Sequence, residues 1–178
     1  MVHAALLAAA GLFLLRCLTP NDARRQIDWQ VLVTIGAALA LGTALERSGA
    51  AHAIAQQFLQ FLGKNVWLTL ALVYGLTLLF TELMSNNAAA ALVFPIAMAA
   101  ADSLGVPRDQ QTAFGIMVMV AASCGFATPL GYQTHLMVYG PGGYRFSDFL
   151  RIGLPLDILC GAVAVTLAPL IWPITIPS

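Results

Sequence analysis

Of the 178 residues, 60% are hydrophobic and only 9% are charged, with eight basic side chains balancing eight acidic ones. So few charges cannot clothe a water-facing surface, and the scattered basic residues form no stripe for a nucleic-acid backbone. A soluble globule and a nucleic-acid binder are therefore excluded, and what remains is a multi-pass protein of the lipid bilayer, such as a bacterial inner or plasma membrane.

Apolar runs of about 20 residues mark spanning helices, and shorter runs mark interfacial or re-entrant segments. Residues 2–18 read as a first transmembrane helix. The run lacks the basic start and small-residue cleavage site of a signal peptide. It is short for a span and starts almost at Met1, so the chain is expected to be a piece of a longer protein. A polar turn over Thr19–Arg25 leads to a second transmembrane helix, 27–46. Residues 50–62 place His52, Gln56, Gln57 and Gln60 among Ile54, Phe58, Leu59 and Phe61, which predicts a helix lying in the membrane interface. Cys17, Cys124 and Cys160 are far apart, show no Cys-x-x-Cys pattern and read as buried thiols, without a metal or other cofactor.

The next segment departs from a simple span. Val66–Phe80 and Ala88–Ala101 are apolar arms of only ~20–22 Å as helices, against a hydrocarbon core of about 30 Å. Between them lies the polar run Thr81-Glu82-Leu83-Met84-Ser85-Asn86-Asn87. Polar, non-helical backbone at membrane depth survives only where it is buried in protein or lines a cavity. Residues 66–101 are therefore expected to form a re-entrant helical hairpin with its polar tip inside the membrane. Residues 112–140 read as a broken transmembrane helix, interrupted at Gly125-Phe126-Ala127-Thr128-Pro129-Leu130-Gly131, and 149–172 as a last transmembrane helix. Arg16, Arg24, Arg25, Arg145 and Arg151 on one side outnumber Lys64, Arg47 and Arg108 on the other, which puts the first set in the cytoplasm.

Two broken membrane segments in one chain point to a transporter binding site. At the first break, free carbonyls near Thr81 to Met84 suit a cation, and free amides at Asn87-Ala88 suit an anion. Ser85, Asn86 and Asn87 add uncharged donors and acceptors. At the second break, the carbonyls of Ser123 to Ala127 end a half-helix, Thr128 supplies a hydroxyl, and Pro129 enforces the unwinding. Hard oxygens on both sides predict one sodium ion between the breaks. Plainer roles stand beside these. Ser85, Asn86 and Asn87 could serve as helix–helix glue and Thr128-Pro129 as a kink. Glu82 is either a functional intramembrane acid or a hydrogen-bond partner of a neighbouring helix. His135 packs or bonds to backbone, Asp148 is interfacial, and Asp157 is a buried or cavity-facing acid. No Gly-x-Ser-x-Gly surrounds Ser85 or Ser123, so an intramembrane hydrolase built with His135 lacks its motif and the chain is not read as an enzyme.

Thr-x-x-x-Ser-Asn-Asn-Ala at Thr81–Ala88, then Ala127-Thr128-Pro129, Gly131-Tyr132-Gln133-Thr134 and Tyr139-Gly140-Pro141-Gly142-Gly143-Tyr144 resemble the C-terminal half of the divalent-anion/sodium symporters, which are citrate-transporter-like. Phe126–Tyr144 is most similar to the sulfate-permease branch. The resemblance implies an all-α membrane protein: one inverted-repeat half of an elevator-type, usually homodimeric carrier. It implies a second sodium site at Thr81, Ser85, Asn86 and Ala127 and a substrate tip at Ser85, Asn86 and Asn87, to which the second break adds Thr128 and Pro129. Asn87 stands where the family commonly has Thr, and the family's N-terminal half has no counterpart in this sequence. The expected function is secondary active transport of a divalent anion, a dicarboxylate or sulfate, coupled to sodium in the complete carrier. A proton-coupled or inorganic oxyanion permease and a non-transporting structural fragment are the alternatives.

Overall fold

The computed structural model describes residues 2–14, 21, 29–63 and 65–175, and all of its regular structure is helical. The polar turn before the second helix lies outside these residues apart from Asn21, as do Arg16, Arg24, Arg25 and Lys64, on which the orientation reading partly rests. The chain divides into two units, residues 1–34 and 35–178. The first contains α1 (Val2–Leu14) and the start of α2 (Trp29–Arg47). The second contains the rest of α2, α3 (Ala50–Leu62), α4 (Val66–Thr81), α5 (Asn86–Ser103), a single 3₁₀ turn at Arg108–Gln110, α6 (Thr112–Ala122), α7 (Gln133–Tyr139) and α8 (Phe146–Ile171).

Local chemistry sets where these helices start and stop. Asn65 caps α4, its side-chain oxygen accepting from the amides of Trp67 and Leu68 at 3.0 and 3.3 Å. Ser85 caps α5 by accepting from Ala88 N at 3.4 Å. The far end of α5 closes as a Schellman motif: Gly105 takes φ +77°, Gly105 N donates to Asp102 O and Val106 N to Ala101 O. That turn swings Val106 back into the core, where it is buried with Leu104 and Ala101. Asp148, in the first turn of α8, accepts from Arg145 N at 2.8 Å and so closes that helix start.

The core lies where α4, α5, α6 and α8 pack together, and small residues dominate it. Ala89, Ala97, Ala101, Ala113 and Ala121 are fully buried beside Leu70, Phe114 and Met117. Such residues let backbones approach closely, which replaces the hydrophobic drive that lipid does not supply. Helix α8 is the clearest case. Its buried residues are Gly153, Asp157, Gly161 and Ala168, whereas Ile152, Ile158, Leu159 and Leu170 face outward. A helix with glycine and aspartate inside and large aliphatics outside is built for lipid. At 26 residues it is also, among the described residues, the helix long and apolar enough to cross a membrane.

Gly153 and Gly161 set how closely α8 can sit. A Cβ at Gly153 would lie 2.0 Å from Phe126 O and 2.7 Å from Ala127 Cα, and one at Gly161 would lie 2.6 Å from the Tyr74 ring. Tyr74 Oη in turn donates to Asp157 O at 2.9 Å, pinning α4 to the same face of α8. Gly153→Ala is therefore expected to lower stability by about 1–3 kcal/mol through overpacking against rigid backbone. Gly75→Ala, where a Cβ meets nothing within 4 Å, is expected to be neutral or to stabilise α4 by up to about 1 kcal/mol. Thermal unfolding of the two variants in detergent checks the contrast.

Candidate functional site

Helix α4 carries three buried threonines at related positions, Thr69, Thr77 and Thr81. The first two bond within the helix, Oγ1 donating to the carbonyl four residues back, Asn65 O at 2.9 Å and Val73 O at 2.7 Å. Thr81 closes the helix and behaves differently. Its hydroxyl leaves its own helix and donates to Ala122 O, the last residue of α6, at 2.7 Å. A carbonyl freed where α6 ends is thus satisfied from the place where α4 ends.

The next residues extend this mutual satisfaction. Glu82 is 9% exposed; its Oε1 accepts from Ala127 N at 2.8 Å, and its carbonyl accepts from Thr128 Oγ1 at 3.2 Å. The Thr128 hydroxyl also accepts from Gly131 N at 3.1 Å, folding the 123–132 connection over itself. His135 Nδ1 lies 3.3 Å from Thr128 O, and its ring packs against Phe149 at a centroid distance of 5.5 Å. Gly125 and Gly131 meet face to face in the middle of the connection, where a Cβ on Gly131 would lie 2.7 Å from Gly125 O. Close backbone approach requires glycine at position 131, whereas a Cβ on Gly125 would make ordinary contacts of 3.4 Å or more.

Asn86 sits at the centre of the cluster. One terminal atom of its side-chain amide lies 3.0 Å from Thr81 Oγ1, 3.2 Å from Ala122 O and 3.2 Å from Gly131 O. With the amide nitrogen there, Asn86 donates to these oxygens. A half-turn of the amide puts Oδ1 in the same place, and four oxygens then converge, which is stable only with a cation among them. One side chain can therefore close the cluster by itself or help to hold a hard cation.

Consecutive residues at a helix start point about 100° apart, and this separates the three residues at the tip. Asn86 faces the second break. Asn87 is exposed and lines a cavity of about 490 Å³ with Thr43 and Glu46 of α2, Phe94 and Pro95 of α5 and Met119 of α6. Ser85 is exposed and spends its oxygen on the α5 cap. Thr81, Asn86, Ala127 and Thr128 thus meet across the two breaks, with Pro129 buried beside them, while Ser85 and Asn87 turn to the open side. The sequence reading missed Ala122 and Gly131. Both contribute backbone carbonyls, which no side-chain motif announces; the only signal was their position at the edges of the Gly125–Gly131 break.

The citrate transporter family matches residues 1–113, a stretch that contains α4, the Glu82–Ser85 turn and α5. The chain belongs to the citrate transporter family. It is a family of membrane transporters, not of enzymes. The chain is 43% identical over 88% of its length to an uncharacterized transporter of Synechocystis sp.. It is 38% identical over 90% of its length to sodium/sulfate cotransporter 1 of Chlamydomonas reinhardtii and 33% identical over 96% to the uncharacterized transporter YfbS of Escherichia coli. These matches cover 25%, 18% and 28% of the relatives, so the chain spans about a quarter of their length or less.

Thr81→Val keeps the shape of the side chain and removes its hydroxyl. It leaves Ala122 O dependent on Asn86 alone, and is expected to cost about 1–2 kcal/mol of stability. Thr77→Val is the control, because Val73 O keeps its helical hydrogen-bonding environment. Thermal unfolding in detergent, read for both variants, should show the larger loss at Thr81.

Proposed function

We propose that this chain is one inverted-repeat half of an elevator-type, homodimeric carrier that moves a divalent anion across the membrane coupled to sodium. In this reading α4 and α5 form a re-entrant hairpin, and α6 and α7 are the two parts of a broken membrane helix. The other half of the carrier supplies the opposing hairpin. The observation that carries the reading is the convergence of Thr81 Oγ1, Ala122 O and Gly131 O on the Asn86 amide. Carbonyl ends and uncharged side-chain oxygens are what a bare sodium ion needs, because they replace its water without fixing it too tightly to leave.

The anion is assigned to the other side of the same helix start. Helix α5 begins at Asn86 with free amides and no acidic residue in its first turn, so its N-terminus favours negative charge. Ser85 and Asn87 are exposed there and can add donors. Cation and anion would then lie on opposite faces of residues 85–87 and reinforce each other's binding electrostatically. The names of the Chlamydomonas relatives favour sulfate as the anion, and the family name favours a carboxylate; an uncharged donor set suits either.

The test is uptake of radiolabelled sulfate and of a labelled dicarboxylate into proteoliposomes holding the complete carrier that contains this segment. An inward sodium gradient should drive uptake of one of them, and Asn86→Ala should reduce that uptake by more than about tenfold, a loss of at least about 1.4 kcal/mol. Equal uptake in sodium and choline, or an Asn86→Ala carrier as active as the wild type, rejects the reading.

A further inference from the structure

The cluster around Asn86 leaves two acids unexplained. Asp157 is 1% exposed, and neither of its carboxyl oxygens has a hydrogen-bond partner; Glu82 uses Oε1 on Ala127 N and leaves Oε2 buried without one. The two side chains face each other from the α4–α5 turn and from α8, beside the backbone amides of Phe126 and Ala127. The Tyr74 hydroxyl is committed to the Asp157 carbonyl and not to its carboxylate. The remaining titratable neighbours, Cys124 and Cys160, carry no positive charge. An ionised carboxylate without a positive partner is costly in a membrane interior, so the pair must be neutralised by a proton or by a metal cation.

The absence of a side chain lets the backbone close in beside them. A Cβ on Gly131 would stand 2.7 Å from Gly125 O and 3.2 Å from Glu82 Oε2, so this glycine brings a carbonyl oxygen and a carboxylate oxygen to the same point. Three carboxylate oxygens and one carbonyl make an all-oxygen donor set for a hard cation. A proton would satisfy one of the three orphan oxygens, whereas a metal cation can be shared by all of them.

We propose that Glu82 Oε2, the Asp157 carboxylate and Gly125 O hold a sodium ion of their own, separate from the ion assigned to the Thr81–Asn86 cluster. Burial calls for the pair to be neutralised, and that the neutralising partner is sodium and not a proton rests on the reading of the protein as a sodium-coupled carrier. The site would tie α8 to both breaks, because Asp157 reaches Glu82 from the helix that Gly153 brings against Phe126. Loss of the ion would leave two acids facing each other and would loosen α8 from the breaks. Occupancy by sodium is therefore coupled to how tightly the breaks are covered.

The experiment counts bound sodium on the purified complete carrier that contains this segment, in detergent, by equilibrium binding of ²²Na⁺, alongside thermal unfolding in sodium and in choline. Asp157→Asn should bind one sodium ion fewer than the wild type, lose part of the sodium-dependent rise in melting temperature, and be more stable than the wild type in choline, where its uncompensated charge is gone. Glu82→Gln, which keeps an oxygen for Ala127 N, should behave alike and replaces Asp157→Asn if that variant does not fold. Asn86→Ala should also lose one ion, and the double variant with Asp157→Asn should lose both. If the acid variants lose an ion and Asn86→Ala does not, this site stands and the Asn86 assignment fails; the reverse result overturns this site alone. Acid variants that keep the wild-type sodium count and melting shift, or a wild type whose stability follows pH and ignores sodium, overturn the proposal.

Discussion

Backbone groups freed at a helix end need hydrogen-bond partners, and the structure is organised around that constraint. Where α4 stops at Thr81 and α6 stops at Ala122, carbonyls and amides are released that water would satisfy in a soluble protein. Here each break supplies the partners of the other. Thr81 Oγ1 answers Ala122 O, Glu82 Oε1 answers Ala127 N, and Thr128 Oγ1 answers Glu82 O. The two interruptions stand 41 to 46 residues apart in the chain and form a single polar unit. Removing one partner strands a group in the other break, so the two are coupled in stability.

Bringing two helix breaks together demands close packing around them. The residues that permit it are small: Gly125 against Gly131, Gly153 against the Phe126 carbonyl, Gly161 against the ring of Tyr74, and alanines through α5 and α6. On α8 the large aliphatic side chains lie on the outer surface, while Leu70, Phe114 and Met117 stay in the core of α4 and α6. In a membrane little is gained by hiding leucine on such a helix, and contact between backbones favours association.

The same unit divides opposite charges between its faces. Carbonyls and uncharged side-chain oxygens gather on the side of Asn86, and the free amides of α5 with Ser85 and Asn87 open on the other side. Buried acids flank the carbonyl side. A polar knot of this kind fits membership of a transporter family, because under the function proposed above a bound ion would replace contacts that the protein otherwise makes with itself.

Much of this was legible before any coordinates. Composition pointed to the bilayer, arm lengths below the bilayer thickness placed interruptions near residues 81–87 and 125–131, where the helices do stop, and the residue types there singled out Thr81, Asn86 and Thr128, which the structure brings close together. Helix period and hydropathy act along the chain, so they fix where regular structure fails. They do not fix what faces what across it. Only the tertiary structure could turn Asn86 toward Ala122 O and Gly131 O while turning Asn87 away, direct Thr81 across to another helix where Thr77 bonds within its own, make Glu82 the link between the breaks, and bring Asp157 beside it from α8. Those relations depend on backbone carbonyls and on glycines that admit close approach, and neither leaves a side-chain pattern for a sequence to display.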